Sequence, residues 1–270
     1  MAGIESPLAT IGRPEHAIIR TDTGHSRSQR DDCSRRLDRR DRRPNRTESG
    51  DEAMSHGLAR KRPEDIDGWG FEMSEIVHGE SHEVDPRVLF TNPDRPFELE
   101  LGSGKGTFLV QEGARRPDTN FIGIEWAKPF FRYAADRMRR HGLANTRMIH
   151  GDGSEFITYW CADSLITTLH LYFLDPWPKA RHHKRRVVQT ETLRHFHRVL
   201  LPGGMIHLVT DHADLWQWYQ DRVEESSDLF DVRPFEPPSS AGEDEVVGTN
   251  FERKYRIEGR SFHAMTLVRK

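Results

Sequence analysis

The chain has 270 residues, of which 35% are hydrophobic and 31% are charged, and its formal net charge is −3. This length allows one large domain or two small ones, and the near-neutral balance requires any polyanionic partner to meet a local basic patch. No apolar run reaches membrane-span length, the amino terminus lacks a signal-peptide pattern, and Cys33 and Cys161 are too far apart to suggest a disulfide framework. We therefore expect a soluble cytoplasmic protein, without a membrane partner, that is a monomer or weak homodimer.

Residues 1–53 differ from the rest of the chain in composition. They contain no Phe, Trp or Tyr, and eight arginines are interspersed with aspartates between positions 30 and 46. A segment so poor in large apolar groups is predicted to be a disordered, low-complexity extension. A solvated mixed-charge linker is the favoured interpretation of the arginines, and contact with RNA is the alternative. Residues 54–270 are then long enough for one α/β domain with a full core.

Strand and helix patterns alternate along this domain. They predict, in chain order, a strand at 97–102, a helix at 107–116, a strand at 120–125, a helix from Pro129 to Gly142, a strand at 146–151, a short helix, an apolar strand within 165–174, a helix at 186–200, a strand at 204–210, a helix near 215–223, and strands near 229–233 and 261–269. Repeated β-α-β units imply a parallel sheet covered by helices on both faces.

The first strands are followed by residues that suit a nucleoside. Gly102 and Gly104 lie in a glycine-rich loop where the backbone can approach a ligand closely, although Thr107 replaces the third glycine of a dinucleotide-binding loop. Glu125 ends the next strand at the offset at which an acid can accept ribose hydroxyls. Asp152 ends the third strand and could receive an adenine amino group. Glu100 lies on the strand face opposite Leu99, so a ligand contact and simple solvent exposure are both open.

The fourth strand ends in Asp175-Pro176-Trp177-Pro178-Lys179, and a strongly basic segment follows at 181–186. The prolines remove backbone donors and fix φ, which predicts a stiff loop that cannot continue the sheet. The run Arg181-His182-His183-Lys184-Arg185-Arg186 precedes and enters the predicted helix at 186–200. Cations are unfavourable at a helix amino terminus, so their placement favours a bound phosphate there, with a solvated charge run as the alternative.

Histidine and cysteine spacing gives no support for metal chemistry. His182 and His183 are adjacent, and His195 and His197 are two residues apart, so neither pair has helical zinc-ligand spacing. We predict no metal site.

Several of these motifs together resemble one family, the bacterial tRNA (guanine-N7)-methyltransferases. The resemblance runs from about Phe97 to the carboxyl terminus and rests on E-L-G-S-G-K-G at 100–106, G-I-E at 123–125, D-P-W-P-K with its basic continuation at 175–186, T-D at 210–211 and T-N-F-E at 249–252. It implies a class I methyltransferase fold, which is a Rossmann-like, mostly parallel seven-stranded sheet. It also implies methyl transfer from S-adenosylmethionine to N7 of a guanosine in the tRNA variable loop.

The resemblance assigns roles to matching residues. Those expected to hold the cofactor are Glu100, Gly102, Gly104, Glu125, Asp152 and Asp175, with Asp175 also catalytic between cofactor and guanine. Those expected to bind tRNA or the target nucleoside are Lys179, Arg181, His182, His183, Lys184, Arg185, Arg186, Asp211, Thr249, Asn250, Phe251 and Glu252.

Three other functions compete with this interpretation. A methyltransferase acting on an exocyclic base amine has a related Asp/Asn-Pro-Pro-aromatic loop, but Trp177 and Pro178 stand in the other order. A nicotinamide-dependent oxidoreductase is disfavoured by Thr107, and an RNA-binding protein without activity is disfavoured because both cofactor acids and Asp175 are present.

Overall fold

The computed structural model describes residues 66–270, so the predictions made for residues 1–53 lie outside the described residues. The described chain forms one eight-stranded sheet. Its strands are β1 (Gly70–Glu72), β2 (Phe97–Leu101), β3 (Asn120–Glu125), β4 (Thr146–His150), β5 (Ile166–Tyr172), β6 (Leu200–Thr210), β7 (Phe230–Arg233) and β8 (His263–Arg269). Their spatial order is β1-β4-β3-β2-β5-β6-β8-β7, and the pairs are parallel except for the two that β8 forms with β6 and β7.

Helices connect most of the strands. They are α1 (Met73–Ile76), α2 (Thr107–Arg115), α3 (Lys128–Arg140), α4 (Gly153–Glu155), α5 (Thr190–Val199), α6 (Ala213–Glu224) and α7 (Asn250–Ile257). A π-helical turn, Phe156–Trp160, extends α4, and 3₁₀ turns occur at Pro86–Leu89 and Ala180–Arg185. Within residues 66–270, no helix is long and apolar enough to span a membrane.

The hydrophobic core lies on both faces of the sheet. Successive side chains of a strand point to opposite faces. In β3, Phe121 packs in a cluster with Phe131 of α3, whereas Ile122 packs in a second cluster with Phe196 of α5. Both clusters are nearly inaccessible to water, so the strands between them are buried on both sides, as expected for a parallel sheet covered by helices.

The strand order shows where a ligand-binding crevice is expected in this sheet. The chain proceeds outward from β2 through β3 to β4, and then returns to β5 on the other side of β2. The crevice between the carboxyl ends of β2 and β5 is therefore the switch point where open α/β sheets bind ligands. The glycine-rich loop follows β2 and the loop containing Asp175 follows β5.

The predicted fold class is confirmed, with two differences. The resemblance implied seven strands, whereas β1 adds an eighth at the edge beside β4; three residues are too few to show a strand pattern. The helix predicted at 186–200 begins only at Thr190, because Ala180–Arg185 form a separate 3₁₀ turn. Its first turn contains Glu191, so the basic residues do not enter a helix amino terminus. The prediction that these cations enter a helix amino terminus is therefore wrong, and a phosphate contact for them stays a prediction.

Candidate active site

The loop after β2 uses glycine to bring other segments close. Gly102 and Gly104 have φ of +74° and +53°, in the left-handed region that favours glycine. A Cβ atom at Gly102 would lie 2.9 Å from the side chain of Leu174, and one at Gly104 would lie 3.2 Å from Phe251. The loop is thus packed against the segments that precede Asp175 and form the start of α7.

A cleft of about 220 Å³ opens between these segments. Six of the predicted site residues line it: Glu100, Gly102, Gly104, Thr249, Asn250 and Phe251. The structure therefore brings together residues separated by about 150 positions in the chain.

Glu100 is the most unusual charged group of this cleft. Its residue exposure is 3%, so the alternative of simple solvent exposure is wrong. Its Oε2 is buried and has no hydrogen-bond partner among the described residues. Burial, with a smaller contribution from the charge of Glu125, raises the pKa of Glu100 to about 8. A cationic or hydrogen-bond-donating ligand group in the cleft would satisfy this oxygen.

Glu125 joins the ends of β2 and β3. Its Oε2 accepts a hydrogen bond from the Gly104 amide at 2.7 Å, and its Oε1 accepts one from the Ala127 amide at 2.8 Å. Burial raises the pKa of this carboxyl, and the charge of Asp175 raises it further. The carboxylate is thus fixed beside the glycine-rich loop with lone pairs remaining for a ligand.

Asp152 lies beyond the cleft, at the start of α4. Its Oδ1 accepts hydrogen bonds from the amides of Ser154 and Glu155, at 2.9 and 3.2 Å, so the side chain caps this short helix. The side chain is exposed at the carboxyl end of β4. Its proposed adenine contact would use the oxygen not engaged in capping.

Sequence reasoning missed a group of residues around His150, the last residue of β4. His150 Nδ1 lies 2.5 Å from Glu72 Oε2, and its Nε2 lies 3.1 Å from the carbonyl oxygen of Trp126. Bonds from His150 and Lys128 lower the pKa of Glu72, against the opposing effect of burial. Glu72 ends β1, so the strand that the sequence pattern did not reveal helps to fix the residues beside Glu125.

Sequence reasoning also missed the other residues that line the cleft. Its additional lining residues are Ser103, Lys105, Thr107, Phe108, Phe130, Tyr172, Phe173 and Lys254. The Tyr172 hydroxyl lies 2.8 Å from His170 Nδ1, and His170 Nε2 lies 2.9 Å from Glu98 Oε2. Tyr172 and Phe173 immediately precede the motif that begins near Asp175, and this adjacency was the available signal.

The loop after β5 holds an unusual backbone. Phe173 and Trp177 both have positive φ, +53° and +42°, although neither is glycine. Such a conformation costs free energy and persists only where surrounding contacts impose it. Asp175 lies between them with an exposed side chain, one residue after Leu174, which packs against Gly102.

The basic residues after this loop do not form one uniform surface. Lys179, Arg181, Lys184 and Arg185 are exposed, and His182 and His183 are partly buried. The Arg185 guanidinium lies 4.8 Å from the centre of the Trp177 ring, and His183 packs edge-on against Trp218. The exposed cations form the part of this segment that could meet a polyanion.

Arg186, which was also predicted to contact RNA, is buried, unlike the exposed cations before it. Its side chain is only 1% exposed. Its Nε donates to the Pro176 carbonyl at 2.9 Å, its Nη2 pairs with Asp214, and its guanidinium lies 4.9 Å from the Trp218 ring centre. Charge in the sequence did not distinguish this buried arginine from its exposed neighbours.

Glu252 is the second residue predicted to contact substrate whose side chain is buried. It is fully buried, and its carboxylate accepts bonds from three successive amides, those of Val246, Val247 and Gly248, at 2.5 to 2.8 Å. It also pairs with Arg256 at 2.8 Å. Its role is to hold the segment before α7, since none of its bonds is directed at the cleft.

Thr249 and Asp211 are also among the predicted site residues. Thr249 lies beside Glu252, and Asp211 lies at the carboxyl end of β6. Thr249 caps α7, and its hydroxyl accepts a bond from the Glu252 amide at 3.2 Å. Asp211 follows β6 and pairs with Arg260 at 2.5 Å. Asp211 does not line the cleft, so its predicted nucleoside contact is not part of the cavity described above.

Comparisons with known proteins agree with the type of site. Residues 94–265 match the model of a family described as "Putative methyltransferase". A tRNA (guanine-N(7)-)-methyltransferase of Corynebacterium diphtheriae is 34% identical over 187 residues, which is 69% of this chain and 72% of that protein. Proteins of the same name from Corynebacterium glutamicum and Streptococcus pneumoniae are 37% and 41% identical, over 57% and 49% of this chain. The matches span 59% and 62% of those two relatives, which is about three-fifths of their length.

Proposed function

This chain belongs to the tRNA (guanine-N7)-methyltransferase family, and on that premise we propose that it transfers a methyl group from S-adenosylmethionine to N7 of a guanosine in the tRNA variable loop. The observation that carries the proposal is the meeting of Glu100, the glycine-rich loop and the Asp175 loop at the switch point of the sheet.

The residues around the cleft fit S-adenosylmethionine. The buried, unpartnered oxygen of Glu100 requires a donor, and the ammonium of the methionine portion is one. The Glu125 carboxylate, fixed by two backbone amides, has lone pairs for the ribose hydroxyls. The glycine-rich loop lets the backbone approach the ligand, and Phe251 covers that loop. Asp152 would accept the adenine amino group.

Methyl transfer to guanine N7 depends on the alignment of the reacting groups more than on acid-base catalysis. Guanine N7 has an in-plane lone pair and no proton to remove, so no general base is needed to form the nucleophile. When bound, S-adenosylmethionine supplies a methyl group on a positively charged sulfur. The chain's contribution is to hold N7 in line with that methyl group.

Asp175 is the proposed catalytic residue. It is exposed at the carboxyl end of β5, beside the segment that packs against the glycine-rich loop. Its carboxylate would accept guanine N–H groups and oppose the positive charge that develops on the purine during transfer. Its interaction with the charge of Glu125 supports this placement near the cofactor.

The exposed cations after Asp175 are proposed to bind tRNA phosphates. They are Lys179, Arg181, Lys184 and Arg185, with His182 and His183 beside them. Because such contacts release counterions, binding through them should weaken steeply with salt. Asn250, Phe251 and Thr249 border the cleft and are proposed to contact the target nucleoside, with Asp211 at the same edge. The proposed location is the cytoplasm, and the proposed assembly is a monomer or weak homodimer.

The experiment is to incubate the protein with unmodified tRNA and methyl-labelled S-adenosylmethionine, digest the tRNA and identify the labelled nucleoside. Label in 7-methylguanosine is expected. Label on an exocyclic amine would support the competing methyltransferase, and the absence of label with bound cofactor would contradict catalysis.

A further inference from the structure

Arg186 is held by three different contacts. Its Nε donates to the carbonyl oxygen of Pro176 at 2.9 Å, its Nη2 pairs with Asp214, and the Trp218 ring lies 4.9 Å from its guanidinium. The residue is 3% exposed, although its ion-pair partner Asp214 has a side chain that is 57% exposed. A tRNA phosphate could reach this guanidinium only if the surrounding residues moved.

The surroundings of Arg186 are themselves anchored. The Trp218 indole donates to the Val188 carbonyl at 2.7 Å, and Arg222 lies 4.8 Å from the same ring. The bond from Arg186 lowers the pKa of Asp214. Trp218 and Asp214 both belong to α6, so Arg186 links this helix to the loop after β5.

The atom that Arg186 bonds is next to the proposed catalytic residue. Pro176 follows Asp175 directly and has no backbone N–H, so this part of the loop cannot be fixed by its own amide. The next residue, Trp177, has a φ of +42°, which needs external contacts to persist. The guanidinium offers several donors in a rigid plane and can hold a carbonyl and a carboxylate together, which a lysine cannot reproduce.

We propose that Arg186 is a positioning residue that holds the Asp175 loop through the Pro176 carbonyl, with Asp214 and Trp218 fixing its guanidinium, and that it does not bind tRNA. This inference rests on the proposed function. Stability alone is a weak reason for the arrangement, because an ion pair with an exposed partner contributes little and the Nη1 of Arg186 has no partner among residues 66–270.

The test compares Arg186→Lys, Arg186→Gln and Asp214→Asn with Lys184→Gln, which changes an exposed cation two residues away. For each folded variant, kcat, KM for tRNA and the salt dependence of tRNA binding are measured. Arg186→Lys is expected to lower kcat by about tenfold or more, because small displacements of a reacting group are costly. Its KM for tRNA and its salt slope should match those of the unchanged protein. Lys184→Gln should instead raise KM and reduce the salt slope by about 0.7 to 0.9.

Arg222→Lys is the matched control for the tryptophan contact. Arg222 also lies against Trp218 but pairs with Glu225 and not with the loop, so kcat should remain within about twofold of the unchanged protein. If Arg186→Gln does not fold, the kcat values of Arg186→Lys and Asp214→Asn still test the positioning role. Asp214→Asn weakens the ion pair that fixes Arg186 without removing the guanidinium.

Two results would overturn the inference. One is an Arg186→Gln protein whose KM rises and whose salt slope falls as in Lys184→Gln, with kcat unchanged. The other is a normal kcat in both Arg186→Lys and Asp214→Asn. Failure of the unchanged protein to methylate guanine N7 would contradict the proposed function, and is distinguishable because it precedes any comparison of variants.

Discussion

The residues proposed to hold the cofactor differ from the charged motifs at 175–186 and 249–252 in where their buried charged side chains lie. On the cofactor side, Glu100 and Glu125 were predicted from sequence, and both lie at the cleft or bonded to its glycine-rich loop. In the motifs at 175–186 and 249–252, the final residue is buried. Arg186 donates to the Pro176 carbonyl, and Glu252 accepts a bond from the Val247 amide. Arg186 and Glu252 thus bond groups of the protein itself, whereas their exposed neighbours are the ones proposed to contact the substrate.

Not every charged residue of such a motif is therefore expected to contact a ligand. Both buried residues engage main-chain atoms, a carbonyl for Arg186 and three amides for Glu252. Main-chain groups of loops have no strand or helix partner, and a buried charged side chain can satisfy them. A motif that is specific to a function therefore includes the residues that fold its loop.

The largest expected effect is at the exposed residue of the loop. Asp175→Asn should reduce kcat by about 10²–10³-fold, because the amide cannot oppose the charge that forms on the purine. The dissociation constant for S-adenosylmethionine should change by no more than a few fold. Single-turnover rates and equilibrium cofactor binding measure the two quantities, and a near-normal rate would refute the catalytic role.

The next effect distinguishes folding from contact at Glu252. Glu252→Gln should lower the free energy of unfolding by about 3 kcal/mol, because Arg256 and three amides lose their buried anionic partner. Denaturant titration measures it. Asn250→Ala is the control, since Asn250 lines the cleft at the exposed start of α7 and its loss should leave stability almost unchanged. Normal stability of Glu252→Gln with weaker tRNA binding would mean that Glu252 contacts the substrate.

Glu100 should affect stability and cofactor binding in opposite directions. Its pKa of about 8 lies above the unfolded value of 4.5, so the folded state keeps a proton that the unfolded state loses as pH rises between these values. Stability without cofactor should therefore decrease over this range in the unchanged protein, and Glu100→Gln should remove that decrease.

The same substitution should weaken binding of S-adenosylmethionine by about tenfold, since a neutral amide replaces the charged partner of its ammonium. Thermal unfolding at pH 5 and pH 8 and cofactor titration test the pair of effects. A Glu100→Gln protein with unchanged cofactor affinity would remove Glu100 from the binding site.

The smallest expected effects are those of single exposed cations. Arg181→Gln should raise KM for tRNA severalfold at physiological salt, with kcat preserved, because one phosphate contact is lost among several. The dependence of tRNA affinity on salt should become shallower by about 0.7 to 0.9. An unchanged salt slope would remove this residue from the RNA surface.

Much of the fold could be predicted because the spacing of apolar residues along the sequence indicates which face of a strand or helix is buried. The alternation of β2 and β3 and the helical stripe of α3 agree with the structure to within a few residues. Strand β1 could not be predicted, because three residues show no period and its pairing with β4 is a long-range contact. The true start of α5 was missed because no glycine or proline separates the preceding 3₁₀ turn from Thr190 in the sequence.

The site was predictable where the chain itself fixes geometry. A strand end, a glycine and an acid at a fixed offset placed Glu125 correctly beside Gly104. Burial of Arg186 depends on Asp214 and Trp218, 28 and 32 positions away on α6, and no local pattern reports that packing. Tyr172 and Phe173 of the cleft were likewise not identified, because they lie in an apolar run that equally fits a core strand.

Methylation of guanine N7 is tested by locating the transferred methyl group on one tRNA. A single unmodified tRNA is treated with the protein and S-adenosylmethionine, then reduced and cleaved with aniline, which breaks the strand at 7-methylguanosine. We expect one cleavage, at a variable-loop guanosine, that is strong with the unchanged protein and nearly absent with Asp175→Asn. Methylated tRNA without cleavage, or equal cleavage with both proteins, would contradict it.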